Sequence, residues 1–432
     1  MADAFMRYRR FADWSIICVR MLQLRSTLLR TAQAMSALVV GIALAACTSA
    51  PPLPGDATTR SPQRPSYGAE ASPPTATGAP SRILTDAPAD GPPTWAVVAD
   101  RDLLTSQGEI RDVLAGGPGL IAVGSGTNGT EGGRAAIWTS PDGEDWDLVT
   151  LEGRAARGRL TSVTAGPAGF VAVGGECCPD RAAVWTSQDG LAWQRVGDQG
   201  SFDGAVMTST TAWAGGLVAV GCVVDLECTG TAVWTSSNGT DWSRVALGRD
   251  IGAAYLGDIT ASGEVLVAVG TTDRDQPGPP AIFVSLDAQT WTRADVPSVP
   301  MALSSVTAGT DGIIAVGRSL DELTGLPVSL VLTSPDGAAW TTVTSDKFAR
   351  ADVEDILVGP AGYVMSGRLK RGEAGIAAAW HSPDGRTWSR VVPGPEGAMR
   401  AVAVAPDGRL VAVGHVTEDE RSMPGVWISP AE

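Results

Sequence analysis

Histidine occurs only twice in the 432 residues, as His381 and His415, a scarcity that nearly excludes a multi-histidine metal centre. Basic residues are in deficit: Lys plus Arg number 32 against 47 Asp plus Glu, for a net charge of −15. Without a basic footprint to neutralise phosphates, nucleic acid is excluded as a partner. The motifs of common catalysts are missing as well, with no GxSxG elbow, phosphate loop or HExxH pair. Neither a cofactor nor a metal is expected. Tyrosine (4) and phenylalanine (6) are few, whereas tryptophan reaches 14. That imbalance points to a repeated unit with a reserved indole position.

The longest apolar run, "AMSALVVGIALAAC" over 34–47, is short for a spanning helix and suits the hydrophobic stretch of an export signal. Arg20, Arg25 and Arg30 precede it, and translation from Met21 would retain everything such a signal requires. Its end, Leu44-Ala45-Ala46-Cys47, resembles the bacterial lipobox. The resemblance implies a signal over 1–46, lipidation of Cys47 and anchoring to the outer face of the membrane by acyl chains. Residues 47–92 are rich in Pro, Ala, Ser and Thr and cannot bury enough apolar surface to fold, so they read as a tether. The other cysteines are Cys177, Cys178, Cys222 and Cys228. In an oxidising compartment they are expected to pair, Cys222 with Cys228 and Cys177 with Cys178, with cross-pairing between the two loops as the alternative.

Residues 93–432 repeat. "AAIWTSPDGEDW" (135–146) returns as "AAVWTSQDGLAW", "TAVWTSSNGTDW", "PAIFVSLDAQTW", "SLVLTSPDGAAW" and "AAAWHSPDGRTW". A second pattern, "LIAVG" to "LVAVG", closes on Gly124, Gly174, Gly221, Gly270, Gly317, Gly367 and Gly414, at steps of 50, 47, 49, 47, 50 and 47. Short Val-, Thr- and Trp-rich runs punctuated by turn residues are strands, and four of them per unit of about 50 residues specify a propeller. The chain ends in a third strand, "GVWISPAE", and begins its folded part with "TWAVV", which reads as a fourth. Joined, they make a seventh blade. The fold expected is therefore an all-β, seven-bladed propeller of four-stranded blades, closed by pairing of its N- and C-terminal strands, which hides otherwise unpaired edges.

Twelve of the tryptophans fall in two slots, at the start of strand four and within strand three, where Phe283 and Leu332 substitute. Replacement by Phe and Leu favours packing over sugar stacking. Each such ring buries ~150–250 Å², or roughly 4–6 kcal/mol gross. Trp213 alone within the domain lies outside the pattern. The recurring carboxylates, Asp142, Asp189, Asp287, Asp336 and Asp384, are replaced once by Asn238, which keeps turn chemistry but is a poor acid, base or nucleophile. Rotation places equivalent residues around a ring, so they cannot converge on one substrate and are expected to build turns.

"SPDGEDW" and its kin resemble the Asp-box of bacterial neuraminidase repeats, shortened by the residue that usually separates Asp from Gly. The resemblance spans nearly all of 94–432. It implies a sialidase-like propeller of the kind also found in non-enzymatic proteins; with the lipobox it is similar to bacterial propeller lipoproteins. Sialidases use an arginine triad, a Tyr nucleophile with Glu, and an Asp acid/base. The first arginine's Phe/Tyr-Arg-Ile-Pro motif is absent here, and Tyr363 occupies a core slot. Arg111, Arg159 and Arg400 near the starts of inner strands, Tyr255 and His415 are the candidate ligand-binding residues; no catalytic residue is assigned. Asp112, Asp258 and Asp355 share an inner-strand slot with Ser162, Ser209 and Ser305, a ring that could hold a cation or waters or could bind backbone groups of neighbouring blades. The variable loops between strands two and three emerge on one face with an acidic surplus (Asp273, Asp275, Asp321, Glu322, Glu418, Asp419, Glu420).

These features lead to an exported, membrane-tethered binding module for a glycan or envelope protein, expected to be monomeric. A sialidase-like glycoside hydrolase and an envelope scaffolding factor are the alternatives.

Overall fold

The computed structural model describes residues 95–98, 108–126, 133–177, 180–224, 228, 230–248, 251, 253–273, 278–321, 323–371, 374–418 and 421–430. The signal, Cys47, the tether and Cys178 lie outside these residues. What is described forms seven four-stranded antiparallel sheets, with two single-turn 3₁₀ segments at Gly200–Phe202 and Asp346–Phe348. Blade 1 runs from the axis outward through Gly108–Gly116, Gly119–Gly126, Arg134–Ser140 and Asp147–Leu148. The innermost strands of blades 2 to 7 are Arg159–Gly166, Ala205–Trp213, Tyr255–Ser262, Ala302–Gly309, Ala351–Gly359 and Gly397–Val404. Each contacts the next, and the seventh contacts the first, so the sheets close as a propeller around a central channel.

Closure follows the expected route. Ala96–Val97 adds to the last strand of the chain, Arg421–Ile428, with Ala96 opposite Ile428 and Val97 opposite Trp427. The outermost strands are shorter than their sequence suggests. They begin one residue after the tryptophan and extend only two or three residues, as in Gln194–Arg195. The tryptophan belongs to the turn instead.

That turn explains the repeated "S-x-D-G-x-x-W". In blade 6, Asp384 Oδ1 accepts from Arg386 N (2.8 Å) and Thr387 N (2.7 Å), and Trp388 Nε1 donates to Gly385 O at 3.1 Å. Asn238 accepts from the same two amide positions at 2.9 Å each. An amide oxygen thus does the work of the carboxylate, and the aspartates are architectural. Gly385 sits at φ 70°, where a side chain is strained and where a Cβ would come within 2.5 Å of Ile314 in the preceding blade. Amides of Thr387 and Arg386 hold the Asp384 carboxyl down at about 2.

The two tryptophan slots are fasteners as well as filling. Four of the five strand-three indoles reach back to the crossover from the previous blade: Trp185 Nε1 to Ala155 O, Trp234 to Ser201 O, Trp380 to Lys347 O and Trp427 to Gly394 O, at 2.7–3.0 Å. The fifth, Trp138 Nε1, is buried without a partner among the described residues. Among the described residues blade 7 has no box turn for Trp95, because its third and fourth strands come from opposite ends of the chain. Its indole N–H donates to His381 Nε2 of blade 6 (3.1 Å), at a position where blades 1, 2, 3 and 5 carry threonine. Trp213, the outlier, donates to Glu264 O in the adjoining turn of blade 4 and serves blade-to-blade packing.

Candidate functional site

Every innermost strand breaks register once, between Ile110/Asp112, Leu160/Ser162, Met207/Ser209, Leu256/Asp258, Leu303/Ser305, Val353/Asp355 and Met399/Ala401. A bulge of this kind re-aims the extra residue. In blades 2, 3 and 5 that residue is a hydroxyl staple. Thr161 reaches Val173 O and Met207 O, Thr208 reaches Val220 O and Leu256 O, and Ser304 reaches Val316 O and Val353 O. Each joins its own second strand to the next blade. Blade 4 has Gly257, while blades 6, 7 and 1, contiguous across the closure, carry Glu354, Arg400 and Arg111.

A charged cluster forms where the staple is lost. Arg400 pairs with Glu354 at 2.7 Å and lies 3.8 Å from Glu109, which is also bonded to Arg111. Beside them Asp352 takes Arg368 at 2.7 Å, with Arg318 at 3.7 Å. His415 completes the group, its Nδ1 buried without a hydrogen-bond partner among the described residues, as are Nε of Arg400 and of Arg111. Burial pushes the Glu109 carboxyl up, but the charges of Arg111 and Arg400 outweigh it and the net shift is downward. Asp352 behaves alike: burial raises it, and Arg368 and Arg318 bring it below its ordinary value. Glu354 and Glu109 raise Arg400 against its burial. Burial, with Arg400 adding, lowers His415 to about 4, so it is neutral at pH 7. The cluster therefore sets four guanidiniums against three carboxylates at the channel mouth, on the face that carries the loops between strands two and three.

Three of the five sequence candidates, Arg111, Arg400 and His415, are brought together. Two are not. Arg159 opens the inner strand of blade 2, where its charge acts on Asp180. Tyr255 belongs to blade 4, against an apolar group of Val206, Val224 and the Cys222–Cys228 disulfide, whose Cα atoms are 5.4 Å apart. The partner proposed for Cys177 is outside the described residues. Glu109, Asp352, Glu354, Arg318 and Arg368 were not anticipated, although the repeat carries their signal. Arg318, Arg368 and His415 each follow the glycine of the "AVG" pattern in consecutive blades, where others have Ser125, Gly175, Cys222 and Thr271.

Deeper in the channel wall, the residue after the bulge ties blades together in every blade but the seventh, which has Ala401 there. Asp112 accepts from Val113 N and from Val163 N of blade 2, both at 2.8 Å. Ser209 donates to Asp258 (2.7 Å), Asp258 accepts from Val306 N (2.8 Å), and Asp355 accepts from Val402 N (3.0 Å). Of the readings open for this ring, bonding to the neighbouring backbone is the one seen, with serine hydroxyls taking part. Among the described residues no group of three or more His, Cys, Asp or Glu is disposed to hold a metal, and no helix is long and apolar enough to cross a membrane.

No protein-family model and no curated protein matches this sequence. Among solved structures it is similar to a protein of unknown function from Dyadobacter fermentans, at 12% identity and TM-score 0.46, covering 78% of this chain and 98% of that one. It is also similar to the phage phi92 endosialidase (10% identity, 79% and 69% covered, TM-score 0.49) and to a Trypanosoma rangeli sialidase (10%, 75% and 55%, TM-score 0.43).

Proposed function

We propose that this propeller is a non-enzymatic binding module that takes an acidic group of a glycan or envelope protein at its channel mouth. One observation carries the reading: the inter-blade staple is replaced over three contiguous blades by charge, and the replacement leaves a guanidinium in excess within a chain of net charge −15. Symmetric positions build the fold, and departures from symmetry mark where a scaffold gives up local optimisation for a task. Arg111 and Arg318 keep about a third of their side-chain surface exposed (34% and 35%) and present charge to solvent.

Binding to arrayed uronate- and sialate-bearing oligosaccharides, and to peptides from the cell envelope, should therefore exceed binding to neutral counterparts. Arg111→Ala with Arg318→Ala should weaken it by about tenfold or more, as expected for charge-assisted contacts. Equal binding of acidic and neutral ligands would refute the reading. Turnover of fluorogenic glycosides would instead favour the hydrolase alternative, which needs a nucleophile beside the guanidiniums; Tyr255 is held elsewhere, against the disulfide. Envelope-protein capture that survives loss of both arginines would favour a scaffolding role.

The module is proposed to work outside the cytoplasm, tethered through lipid on Cys47. The Cys222–Cys228 disulfide supports an oxidising compartment. Cys47→Ala is expected to move the protein from the membrane fraction to the soluble fraction and to abolish incorporation of labelled fatty acid; unchanged membrane association would refute the anchor.

A further inference from the structure

The serine between two of the channel carboxylates poses a problem of proton counting. Ser305 Oγ lies 3.0 Å from Asp258 Oδ2 and 2.7 Å from Asp355 Oδ1. A hydroxyl owns one proton and can satisfy only one of these contacts. The carboxylate oxygens also receive amides, Val306 N on Asp258 Oδ2 and Ile356 N on Asp355 Oδ1, each at 2.8 Å. Those amides ease the charge but place no proton on the line to Ser305. With both carboxyls ionised, one of the two lines would aim a hydroxyl lone pair at an anionic oxygen.

We infer that Asp258, Ser305 and Asp355 form a proton-binding site that retains one shared proton into the neutral range. The proton resides on Asp355 Oδ1, which donates to Ser305 Oγ, and Ser305 donates to Asp258 Oδ2. The step takes one proton from water and removes one carboxylate charge, with no other bond made or broken. Counting donors fixes the assignment. Leaving aside the shared Ser305, Asp258 receives Ser209 Oγ and the amides of Val306 and Ile259, whereas Asp355 receives the amides of Ile356 and Val402 alone. The carboxyl with more donors is the better anion.

The surroundings agree. Burial raises both carboxyls, Asp355 to about 6 with the charge of Asp258 adding to it. Of the charged groups on the strands packed against the pair, Arg400 is committed to Glu354 and Glu109, Asp352 to Arg368 and Arg318, and Tyr255 opens its strand against the disulfide. The charge of Asp355 bears on Asp112 of blade 1, which titrates on its own account. Burial, with Asp355 adding, takes it to about 7, but both its oxygens accept backbone amides and no second carboxyl shares its hydroxyl partner. A raised carboxyl stabilises the folded state most at a pH below its unfolded value and loses that contribution as pH rises through its folded value. The shared proton therefore ties blades 4, 5 and 6 more firmly at pH 5 than at pH 8.

Infrared titration of the whole protein tests this through the carbonyl stretch of a protonated carboxyl. Wild type should show two such components persisting above the ordinary carboxylate range. Asp112→Asn should remove one and Asp355→Asn the other. Ser305→Ala should lower the midpoint of the second by about one unit or more. Should Ser305→Ala fail to fold, Asp258→Asn keeps the shape, removes the neighbouring anion and should lower the same midpoint. A signal abolished entirely by Asp112→Asn, or a midpoint unmoved in both Ser305→Ala and Asp258→Asn, would overturn the inference.

Discussion

Replacing Trp427 by alanine is expected to cost about 3–5 kcal/mol, the range for deleting a large aromatic from a packed core, and to lower the thermal midpoint by roughly 5–10 °C. Trp427 is fully buried among Trp95, Ala377, Ala379, Met399 and Ala412, so its loss opens a cavity between blades 6 and 7. It also loses the bond from its indole to Gly394 O. The consequence peculiar to this site lies one strand outward. Ala96–Val97 is held by pairing with Trp427 and Ile428 and by the reach of Trp95 to His381, and a two-residue strand cannot hold itself. Hydrogen exchange at Ala96 and Val98, the positions whose amides face the last strand, should therefore rise well below the global unfolding transition in this variant. Trp234→Ala, equally buried but inside a continuous blade, is the comparison. It should cost a similar amount of stability and leave the N-terminal strand protected. Equal exchange in the two variants would mean that closure does not rest on Trp427.

The propeller was legible because rotation forces the sequence to repeat itself. Six box turns and seven "AVG" glycines are one solution to a turn and a strand, written again wherever the same geometry recurs. Even closure could be read, since strand three at one end and strand four at the other are complementary. The bonds were less visible. Phe283 and Leu332 showed that apolar bulk suffices in strand three, which concealed that tryptophans there also donate to crossover carbonyls. The outermost strands start one residue later than their sequence suggests because Trp193 and its equivalents carry the β-propensity of a strand while packing under a turn. The site was harder for a different reason. Arg111, Arg159 and Arg400 look alike as residues near inner-strand starts, but Arg111 and Arg400 sit on the bulge and Arg159 two positions before it. A bulge shifts phase by one residue, and periodicity alone does not announce it. Tyr255 was misleading because its partners, Val206 and the disulfide, come from the neighbouring blade.

Arg400→Ala is expected to be the most damaging single change at the mouth, and its signature is a dependence on pH rather than a loss of packing. The guanidinium serves Glu354 and Glu109 together, and all three side chains keep only 22% exposure. Removing one member of a pair that is mostly out of water strands the other charge, at about 2–4 kcal/mol once partial solvation is allowed for. The cost depends on ionised carboxylates. In wild type, Glu109 is held below its ordinary value, so its stabilising contribution is full above the unfolded value of about 4.3 and is lost as pH falls through the folded value. Without Arg400 the Glu109 carboxyl rises. The stability gap between variant and wild type should accordingly be widest near pH 7 and close towards pH 4. Glu354→Gln added to Arg400→Ala should recover part of the deficit by removing one stranded charge. The two histidines supply an internal readout. His415 is lowered to about 4 by burial with Arg400 next in weight, whereas His381 is lowered by burial alone. Proton NMR should show His415 titrating higher in the variant with His381 unmoved. A deficit independent of pH, or a His415 midpoint that stays in place, would show that Arg400 is packing material and not the electrostatic centre of the mouth.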